Sequence, residues 1–312
     1  MSEQYTVEQF FGQTLKKENA RFSLTDQLIM LAFDDNYVDQ SINLMLSIEK
    51  YHPYGVSFIC ASPNLKPENV EAILALKIGV QLNCYDYTPI TDPGKWSPCT
   101  LYRLFAPWLF DNSIRKILYL DSDMICTGNF QELLDLEVPV MAMCSEISGN
   151  VSNTQEKTVR NLLPARLYCN AGVSLFNLDY LREHHTFHEI FTELNNMRQY
   201  IVFPDQDFLN VYFKDKITCL NPFYYNFQAY EVYGTKFFRR GLNRCKLIHF
   251  SVGKPWLYKS NPVYIRIYLE HSLYPPMIRR IQAVHRKSLL YSPIRIVRHW
   301  LSPLKKALSG KK

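Results

Sequence analysis

The sequence has no long hydrophobic run and no hydrophobic leader. None of its apolar stretches approaches the ~20 consecutive residues that a membrane-spanning helix needs, and the N-terminus lacks a basic segment followed by an apolar core. We therefore expect neither a transmembrane helix nor a secretory signal peptide, and we expect a cytoplasmic protein. The 312 residues are 47% hydrophobic and 14% aromatic, so the chain can bury a sizeable core.

Closely spaced cysteines are also missing. The eight cysteines are scattered, and no two are near enough in sequence for a zinc knuckle or a CxxC redox pair. This spacing excludes those two kinds of site and favours free thiols in a reducing compartment. The cysteines stand at positions 60, 84, 99, 126, 144, 169, 219 and 245.

Acidic residues disappear after Glu270. Ten of the 35 Lys and Arg residues follow that position, and the rest of the chain, with 25 basic and 29 acidic residues, is mildly acidic. Basic and apolar residues alternate in this C-terminal tail, which favours a peripheral anchor on an anionic lipid surface at the inner face of the cell membrane. A solubilising tail is the alternative, and nucleic-acid binding is not expected because no recognised fold supports it.

Strand-like and helix-like segments alternate along the chain, which predicts an α/β protein with a mostly parallel sheet and helices on both faces. We expect one undivided core at 27–260, between a lead-in at 1–26 and a basic, partly helical tail at 261–312. Ligands bind such sheets beyond the carboxyl ends of the strands. The predicted strands are 27–33, 56–61, 81–85, 116–120, 138–144, 173–177, 217–220 and 246–249, and the predicted helices are 38–51, 67–78, 100–109 and 205–213.

Two acidic clusters follow predicted strands. Asp34 and Asp35 come after the first strand, and Asp121-Ser122-Asp123 comes after the strand at 116–120. In an extended segment residues i and i+2 point to the same side, so Asp121 and Asp123 can face one divalent cation. Oxygen ligands suit Mg²⁺ or Mn²⁺, and such a cation would neutralise a diphosphate leaving group. The alternative is a solvated loop with two acids.

Downstream residues could complete such a site. His249 could supply a third metal ligand, and its nitrogen would favour Mn²⁺ over Mg²⁺. Gly253 would let the backbone approach a phosphate, with which Lys254 could pair, although a turn with an ordinary histidine is the alternative. Asn170-Ala171-Gly172 and Asp205-Gln206-Asp207 are further polar segments, and acids that open a helix can equally be helix caps.

These motifs, in this order, resemble the retaining glycosyltransferases of family eight, which include bacterial lipopolysaccharide and lipooligosaccharide galactosyl- and glucosyltransferases and glycogenin. The resemblance covers about residues 27–258. It implies a GT-A fold, with a Rossmann-like, mostly parallel central sheet. It also implies that Mn²⁺, or alternatively Mg²⁺, assists the transfer of a hexose from a UDP-sugar with retention at the anomeric carbon. The motifs are Ala32-Phe33-Asp34-Asp35-Asn36-Tyr37, Tyr102-Arg103-Leu104, Leu118-Tyr119-Leu120-Asp121-Ser122-Asp123, Asn170-Ala171-Gly172, Asp205-Gln206-Asp207 and the His249…Lys254-Pro255-Trp256 segment.

The resemblance also implies roles for single residues. Asp121, Asp123 and His249 would hold the metal, and Tyr37 would stack on the uracil. One spacing departs from the family: it usually has six positions from the His to the Lys, as HxxGxxKPW, whereas Lys254 is five positions after His249. The loop over the diphosphate can therefore close differently. The residues expected around the donor are Ala32, Phe33, Asp34, Asn36, Tyr37, Arg103, Asp121, Ser122, Asn170, Ala171, Gly253 and Lys254, and the catalytic pair is Asp205 and Gln206.

Two mechanisms and three functions stay open. A double displacement needs a carboxylate nucleophile, for which Asp205 is the candidate because Gln206 is an amide. We favour a front-face attack in which the departing phosphate oxygen accepts the proton of the glycan, glycolipid or glycoprotein acceptor. A nucleotidyltransferase that makes sugar nucleotides is the alternative enzyme, but residues 31–37 lack its Gly-rich basic loop. A non-catalytic sugar-nucleotide binder would be expected to lack a metal ligand.

Overall fold

Two β-sheets form the framework of the molecule. The structure, a computed structural model, describes residues 5–12, 14–19, 24–85, 98–146, 168–235, 237–258 and 260–290. The strands of these residues are β1 (Thr14–Glu18), β2 (Leu28–Ala32), β3 (Ser57–Pro63), β4 (Gly79–Tyr85), β5 (Lys116–Leu120), β6 (Met124–Cys126), β7 (Met141–Ser145), β8 (Cys169–Asn177), β9 (Ile217–Leu220), β10 (Phe227–Gln228) and β11 (Leu247–His249).

The larger sheet has the strand order β1-β4-β3-β2-β5-β8-β7-β9, which confirms the predicted mostly parallel α/β architecture. Strands β4, β3, β2 and β5 run parallel to one another. They are almost entirely buried, as expected for parallel strands covered on both faces. Leu31 of β2 lies opposite Leu120 of β5, so the residues that follow this pair, from Ala32 and from Asp121, emerge at the same edge of the sheet.

Strand β8 runs antiparallel between β5 and β7, a pairing that the alternating pattern does not predict. Its Val173 lies opposite Leu120, and the backbone N–H of Asp121 donates to the carbonyl of Gly172 at 2.9 Å. The pairing of β8 with β7 shifts register here, as at a β-bulge, and the 170–172 segment is thereby turned toward the end of β5.

The smaller sheet has the order β10-β11-β6. Strand β11 runs antiparallel to β6, so that His249 lies opposite Met124. The backbone N–H of Phe250 then donates to the carbonyl of Asp123 at 2.9 Å. This short sheet therefore carries His249 to the turn that follows β5, although the two segments are far apart in the sequence.

Helices cover both faces of the larger sheet. Along β2, Ile29 and Leu31 pack into one core cluster with the helices at 38–49 and 67–74, whereas Met30 and Ala32 pack into another with the helices at 102–109 and 187–197. The helices are α1 (Val7–Phe11), α2 (Val38–Glu49), α3 (Pro67–Leu74), α4 (Tyr102–Leu109), α5 (Gln131–Leu134), α6 (Leu178–His184), α7 (Phe187–Met197), α8 (Pro204–Tyr212), α9 (Pro222–Tyr225), α10 (Ala229–Val232), α11 (Phe237–Leu242), α12 (Pro262–His271) and α13 (Pro275–Leu290).

Parts of the predicted lead-in and of the predicted tail pack against the core, which their composition does not indicate. In the lead-in, β1 pairs with β4, and Phe10 and Phe11 are fully buried. In the tail, α12 and α13 bury Tyr268, Met277 and Ile281 in a third core cluster. The predicted boundary at 260 stays a prediction, and residues 291–312 lie outside the described part. Within the described ranges, no helix is both long and apolar enough to cross a membrane.

Candidate metal centre and donor cavity

Two carboxylates stand beyond the end of β5. Asp121 follows the strand directly, and Asp123 is 8% exposed just before β6 begins. The segment between them is a turn and not the extended backbone on which the predicted same-side spacing rests. The buried hydroxyl of Ser122, hydrogen-bonded to Ser41 at 2.8 Å, anchors this turn to α2. The turn nevertheless directs both carboxylates to one point.

The structure brings the three predicted metal ligands together. One ligand atom each from Asp121, Asp123 and His249 lie within 4.8 Å of one another. The Nε2 atom of His249 is 3.0 Å from Oδ1 of Asp123 and 3.7 Å from Oδ2 of Asp121. Two carboxylates and one imidazole form a donor set that suits a divalent transition metal. The residues therefore fit the predicted ion.

Gly172 allows this close approach. A Cβ atom built on it would lie 2.6 Å from Cε1 of His249 and 2.8 Å from Oδ2 of Asp121. These distances are shorter than real Cβ contacts, so any larger residue would displace two of the three ligands. The need for glycine here comes from space, because its φ angle is not in the left-handed region.

Two asparagines hold the far side of His249. The Nδ1 atom of His249 is 2.8 Å from Oδ1 of Asn226, and the Asn226 amide donates to Oδ1 of Asn170 at 2.8 Å. Asn226 and His249 are buried, and Asn170 is nearly so. No sequence motif points to Asn226, which stands in an aromatic-rich segment. Only the pairing of β10 with β11 brings it beside the histidine.

Lys254 lies on the opposite side of Asp123, to which its Nζ donates a hydrogen bond. Burial alone would raise the pKa of the Asp123 carboxyl, but the neighbouring Lys254 and His249 charges outweigh burial and hold that pKa well below its usual range. The Nζ atom is also 5.5 Å from the centre of the Tyr37 ring, and burial raises the pKa of the Tyr37 hydroxyl. The predicted donor residues Lys254 and Tyr37 therefore adjoin the metal cluster.

Arg103 joins the metal cluster to the predicted catalytic acid. Its guanidinium donates to Oδ1 of Asp121 and to the carbonyl of Ala171, each at 2.7 Å, and its Nε is 2.9 Å from Oδ2 of Asp205. The guanidinium also lies 4.0 Å from the centre of the Tyr119 ring, whose hydroxyl donates to Asp121. Arg103 thus positions two carboxylates, and its predicted contact with the donor stays a prediction.

The two acids in the first turn of α8 have different roles. Asp207 accepts hydrogen bonds from the backbone N–H groups of Val202 and Phe203, so it holds the segment before the helix against its first turn. Asp205 instead points toward Arg103. It is 6% exposed, and burial raises the pKa of its carboxyl more than Arg103 lowers it.

The Gln206 amide is held at both ends. Its Oε1 accepts a hydrogen bond from the backbone N–H of Ala171 at 3.0 Å, and its Nε2 donates to the Tyr168 hydroxyl at 2.9 Å. That hydroxyl in turn donates to Asp207. The 170–172 segment therefore contacts both the metal cluster and the predicted catalytic pair.

The end of β2 supplies the remaining predicted donor residues. Asp34 accepts a hydrogen bond from the backbone N–H of Asn36 at 2.9 Å and so begins a short 3-10 turn. Asp35 points elsewhere, because it accepts from the backbone of Lys66 and the side chain of Asn69. Asp34 therefore lies beside the cavity, and Asp35 does not.

One cavity of about 380 Å³ connects these groups. Of the predicted residues, Asn36 and Gly253 are not part of its wall. Gly253 has a φ of +72°, a conformation that favours glycine, and it packs near Tyr264. The wall also includes Cys99, Thr100, Tyr119, Phe203 and Ser251, which are not among the predicted site residues. The predicted residues in the wall are Ala32, Phe33, Asp34, Tyr37, Arg103, Asp121, Ser122, Asp123, Asn170, Ala171, Asp205, Gln206, His249 and Lys254.

The chain is similar to known glycosyltransferases. Residues 28–260 match glycosyl transferase family 8. The chain is 25% identical over 242 residues to a lipopolysaccharide 1,2-glucosyltransferase of Escherichia coli, covering 72% of this chain and 71% of that protein. It is 27% identical over 232 residues to a lipopolysaccharide 1,3-galactosyltransferase of Salmonella typhimurium, covering 69% and 68%.

A solved structure shares the fold. The galactosyltransferase LgtC, solved in complex with donor and acceptor sugar analogs, superposes with a TM-score of 0.65 at 20% identity and covers 81% of this chain and 99% of LgtC. This likeness shows the GT-A fold. The predicted fold class is therefore confirmed.

Proposed function

The chain belongs to glycosyl transferase family 8, and from this premise we propose that it moves a hexose from a UDP-sugar to a glycan, glycolipid or glycoprotein acceptor. The hexose is glucose or galactose, the sugars named for the two bacterial relatives. One observation carries the proposal: the Asp121, Asp123 and His249 cluster opens into the same cavity as Asp205 and Gln206. A volume of about 380 Å³ is within the usual range for a small-molecule site.

The donor set leads us to propose Mn²⁺ as the metal, with Mg²⁺ as the alternative. An imidazole nitrogen favours Mn²⁺, whereas Mg²⁺ is usually held by oxygen ligands and water. The bound cation would neutralise the diphosphate and so make UDP a better leaving group. Lys254 supplies a further positive charge on the same side of the cavity.

We place the donor along the cavity by the chemistry of its walls. The end of β2, with Ala32, Phe33, Asp34 and Tyr37, would hold the uridine. The diphosphate would lie between the metal ligands and Lys254. The hexose would then reach the opposite wall, where Asp205 and Gln206 stand.

Front-face attack is the mechanism that we propose. The bond between the anomeric carbon and the phosphate oxygen breaks, the acceptor oxygen bonds to the same face of that carbon, and the acceptor proton passes to the departing phosphate oxygen. Asp205 is held by Arg103 and Gln206 is hydrogen-bonded at both ends, so both groups are fixed in position. Their side-chain oxygens would stabilise positive charge at the sugar. A covalent sugar trapped on Asp205 would overturn this mechanism in favour of double displacement.

The direct test is a panel of UDP-sugars with Mn²⁺, scored by UDP release. We expect release with UDP-glucose or UDP-galactose, and no release by Asp123→Ala. Asp215→Ala, an exposed acid in the turn before β9, is the matched control and should behave as the unmodified protein. Release that is equal for Asp123→Ala and the unmodified protein would refute the proposed role of the metal cluster.

We also propose that the tail brings the enzyme to an acceptor at an anionic membrane surface. The apolar face of α13 is already used, because Met277, Ile281 and His285 are buried against the core. The exposed Arg279 on α13, together with the basic residues of 291–312, would contact the lipid surface, whereas Arg280 is paired with Asp39 at 3.7 Å. Deleting 291–312 should weaken binding to vesicles that contain anionic lipid, and unchanged binding would contradict this part of the proposal.

A further inference from the structure

A chain of hydrogen bonds runs from the backbone to the metal-facing histidine. The N–H of Gly172 donates to Oδ1 of Asn170 at 2.9 Å. The same oxygen accepts from Nδ2 of Asn226 at 2.8 Å, and Oδ1 of Asn226 is 2.8 Å from Nδ1 of His249. Asn226 is fully buried, so water does not compete for these contacts.

At the start of this series of hydrogen bonds, the donor and acceptor atoms can be assigned in only one way. A backbone N–H can only donate, so the side-chain atom of Asn170 that faces Gly172 must be its oxygen. The other end of the Asn170 amide donates to a carboxylate oxygen of Glu146 at 3.2 Å, which agrees with the same orientation. Because the Asn170 oxygen can only accept, the Asn226 atom that faces it must be the amide nitrogen.

This assignment passes on to the imidazole. With its nitrogen turned to Asn170, Asn226 presents its oxygen to His249, and an amide oxygen can only accept. The Nδ1 atom of His249 must then carry the proton. In the neutral ring the unprotonated nitrogen is Nε2, the atom that faces Asp121 and Asp123. The Cε1 atom of the ring lies beside Gly172, 2.6 Å from the point where a Cβ atom on that residue would stand.

We propose that Asn226 is a positioning residue that fixes His249 as the Nδ1–H tautomer, so that only Nε2 is offered to the divalent cation. This inference rests on the proposed metal site. Partners that orient a metal-bound imidazole in this way typically change metal affinity by about 10–100-fold when they are removed.

Two substitutions separate the roles of the Asn226 oxygen and nitrogen. Asn226→Ala removes the acceptor, so we expect Mn²⁺ to bind about 10–100-fold more weakly. Asn226→Asp keeps an acceptor for Nδ1–H, so it should recover most of the lost affinity although its contact with Asn170 is broken. Asn43→Ala is the matched control, because Asn43 on α2 is an equally buried amide. It is hydrogen-bonded to Ser272 and Leu273 and not to His249 or Asn170.

The measurement combines metal binding with a readout that needs no metal. Mn²⁺ affinity is measured by electron paramagnetic resonance, with and without UDP. The tautomer of His249 is read from its side-chain ¹⁵N shifts in metal-free protein, in alkaline buffer where the ring is neutral, with His249→Gln used for assignment. We expect Nδ1–H in the unmodified protein and in Asn43→Ala, and a shift toward Nε2–H in Asn226→Ala.

The outcomes separate the two levels of the proposal. If Asn226→Ala keeps both the Nδ1–H tautomer and the Mn²⁺ affinity of the unmodified protein, the assignment of Asn226 is wrong. It is also wrong if Asn43→Ala weakens Mn²⁺ binding equally. If the unmodified protein has the Nδ1–H tautomer and Asn226→Ala shifts toward Nε2–H, but the unmodified protein binds no Mn²⁺, the proposed function fails while the tautomer control by Asn226 stands.

Discussion

The two walls of the cavity are built on different principles, although both meet the 170–172 segment. The metal wall consists of ionisable groups that face one another: Asp121, Asp123, His249 and Lys254. In the opposite wall, the polar atoms of Gln206 already have neutral protein partners, and Asp205 is already paired with Arg103. We infer that the metal wall exchanges partners when ligands bind, whereas the opposite wall is rigid before they arrive.

The largest effect should come from removing charge from the metal wall. Asp121→Asn keeps the shape of the side chain but removes a carboxylate that a cation needs. The loss of several kcal/mol of charge stabilisation corresponds to a roughly thousandfold fall in kcat/KM. Asp215→Asn is the exposed control. Activity within about tenfold of the control would show that charge is not what distinguishes this wall.

A smaller but still large effect should follow from a methyl group at the shared segment. Gly172→Ala would place Cβ 2.6 Å from the His249 ring, so ligands of the metal wall must shift. We expect kcat/KM to fall about 100-fold with weaker Mn²⁺ binding, since misplacement by about 1 Å can have this effect. Gly55→Ala, whose Cβ would have no neighbour nearer than 3.6 Å, should change neither quantity.

The opposite wall should respond in a different way. Gln206→Ala removes the hydrogen-bond partner of the Ala171 N–H and one partner of the Tyr168 hydroxyl. Leaving a buried polar group without its partner costs about 1–3 kcal/mol of free energy. We expect kcat to fall by about 10–100-fold while Mn²⁺ affinity stays as in the unmodified protein. Gln131→Ala serves as the control, because Gln131 on α5 is hydrogen-bonded to Asp135 just after that helix. A matching loss of Mn²⁺ affinity in Gln206→Ala would erase the distinction between the walls.

The smallest predicted effect has the opposite sign. Lys254 is paired with Asp123, so in the free protein it competes with a cation for that carboxylate. Lys254→Met should therefore tighten Mn²⁺ binding to the free protein about fivefold, or ~1 kcal/mol, while UDP binds more weakly. Binding of Mn²⁺ and of UDP, measured separately by calorimetry, tests both signs against the exposed control Lys214→Met. Weaker Mn²⁺ binding would show that the two partners do not compete.

The parallel half of the fold was within reach of sequence reasoning. Strand β5 has the predicted bounds, and β2, β3 and β4 differ from theirs by a few residues at most. These strands are continuous buried runs bounded by polar turns, which leave a local pattern. The reversed direction of β8 leaves none. Of the smaller sheet only β11 was predicted, as the strand at 246–249, because β6 and β10 are only a few residues long and are defined by distant partners.

The same limit applies to the site. The carboxylates and the histidine of the proposed metal site could be singled out because their types, and the position of the carboxylates after a buried strand, point to metal chemistry, although the backbone between Asp121 and Asp123 is a turn and not extended. Asn226 and the Tyr168–Asp207 pair act through tertiary hydrogen bonds, and no spacing rule connects them to the cavity. The apolar residues of α13 show a second limit. An amphipathic pattern does not reveal whether its apolar face packs against the protein core or against a membrane. In this structure Met277 and Ile281 cover the core.

The smaller sheet has a consequence for folding. His249 reaches Asp123 only after β11 has paired with β6, so the three ligands exist together only in the completed fold. Any cation that binds them binds the native chain and not the unfolded one. By linkage, a concentration 100 times the Kd would stabilise the native state by about 2.7 kcal/mol. Thermal unfolding with added Mn²⁺ would therefore report whether the segment that carries His249 has closed on the turn after β5, even before any donor sugar is known.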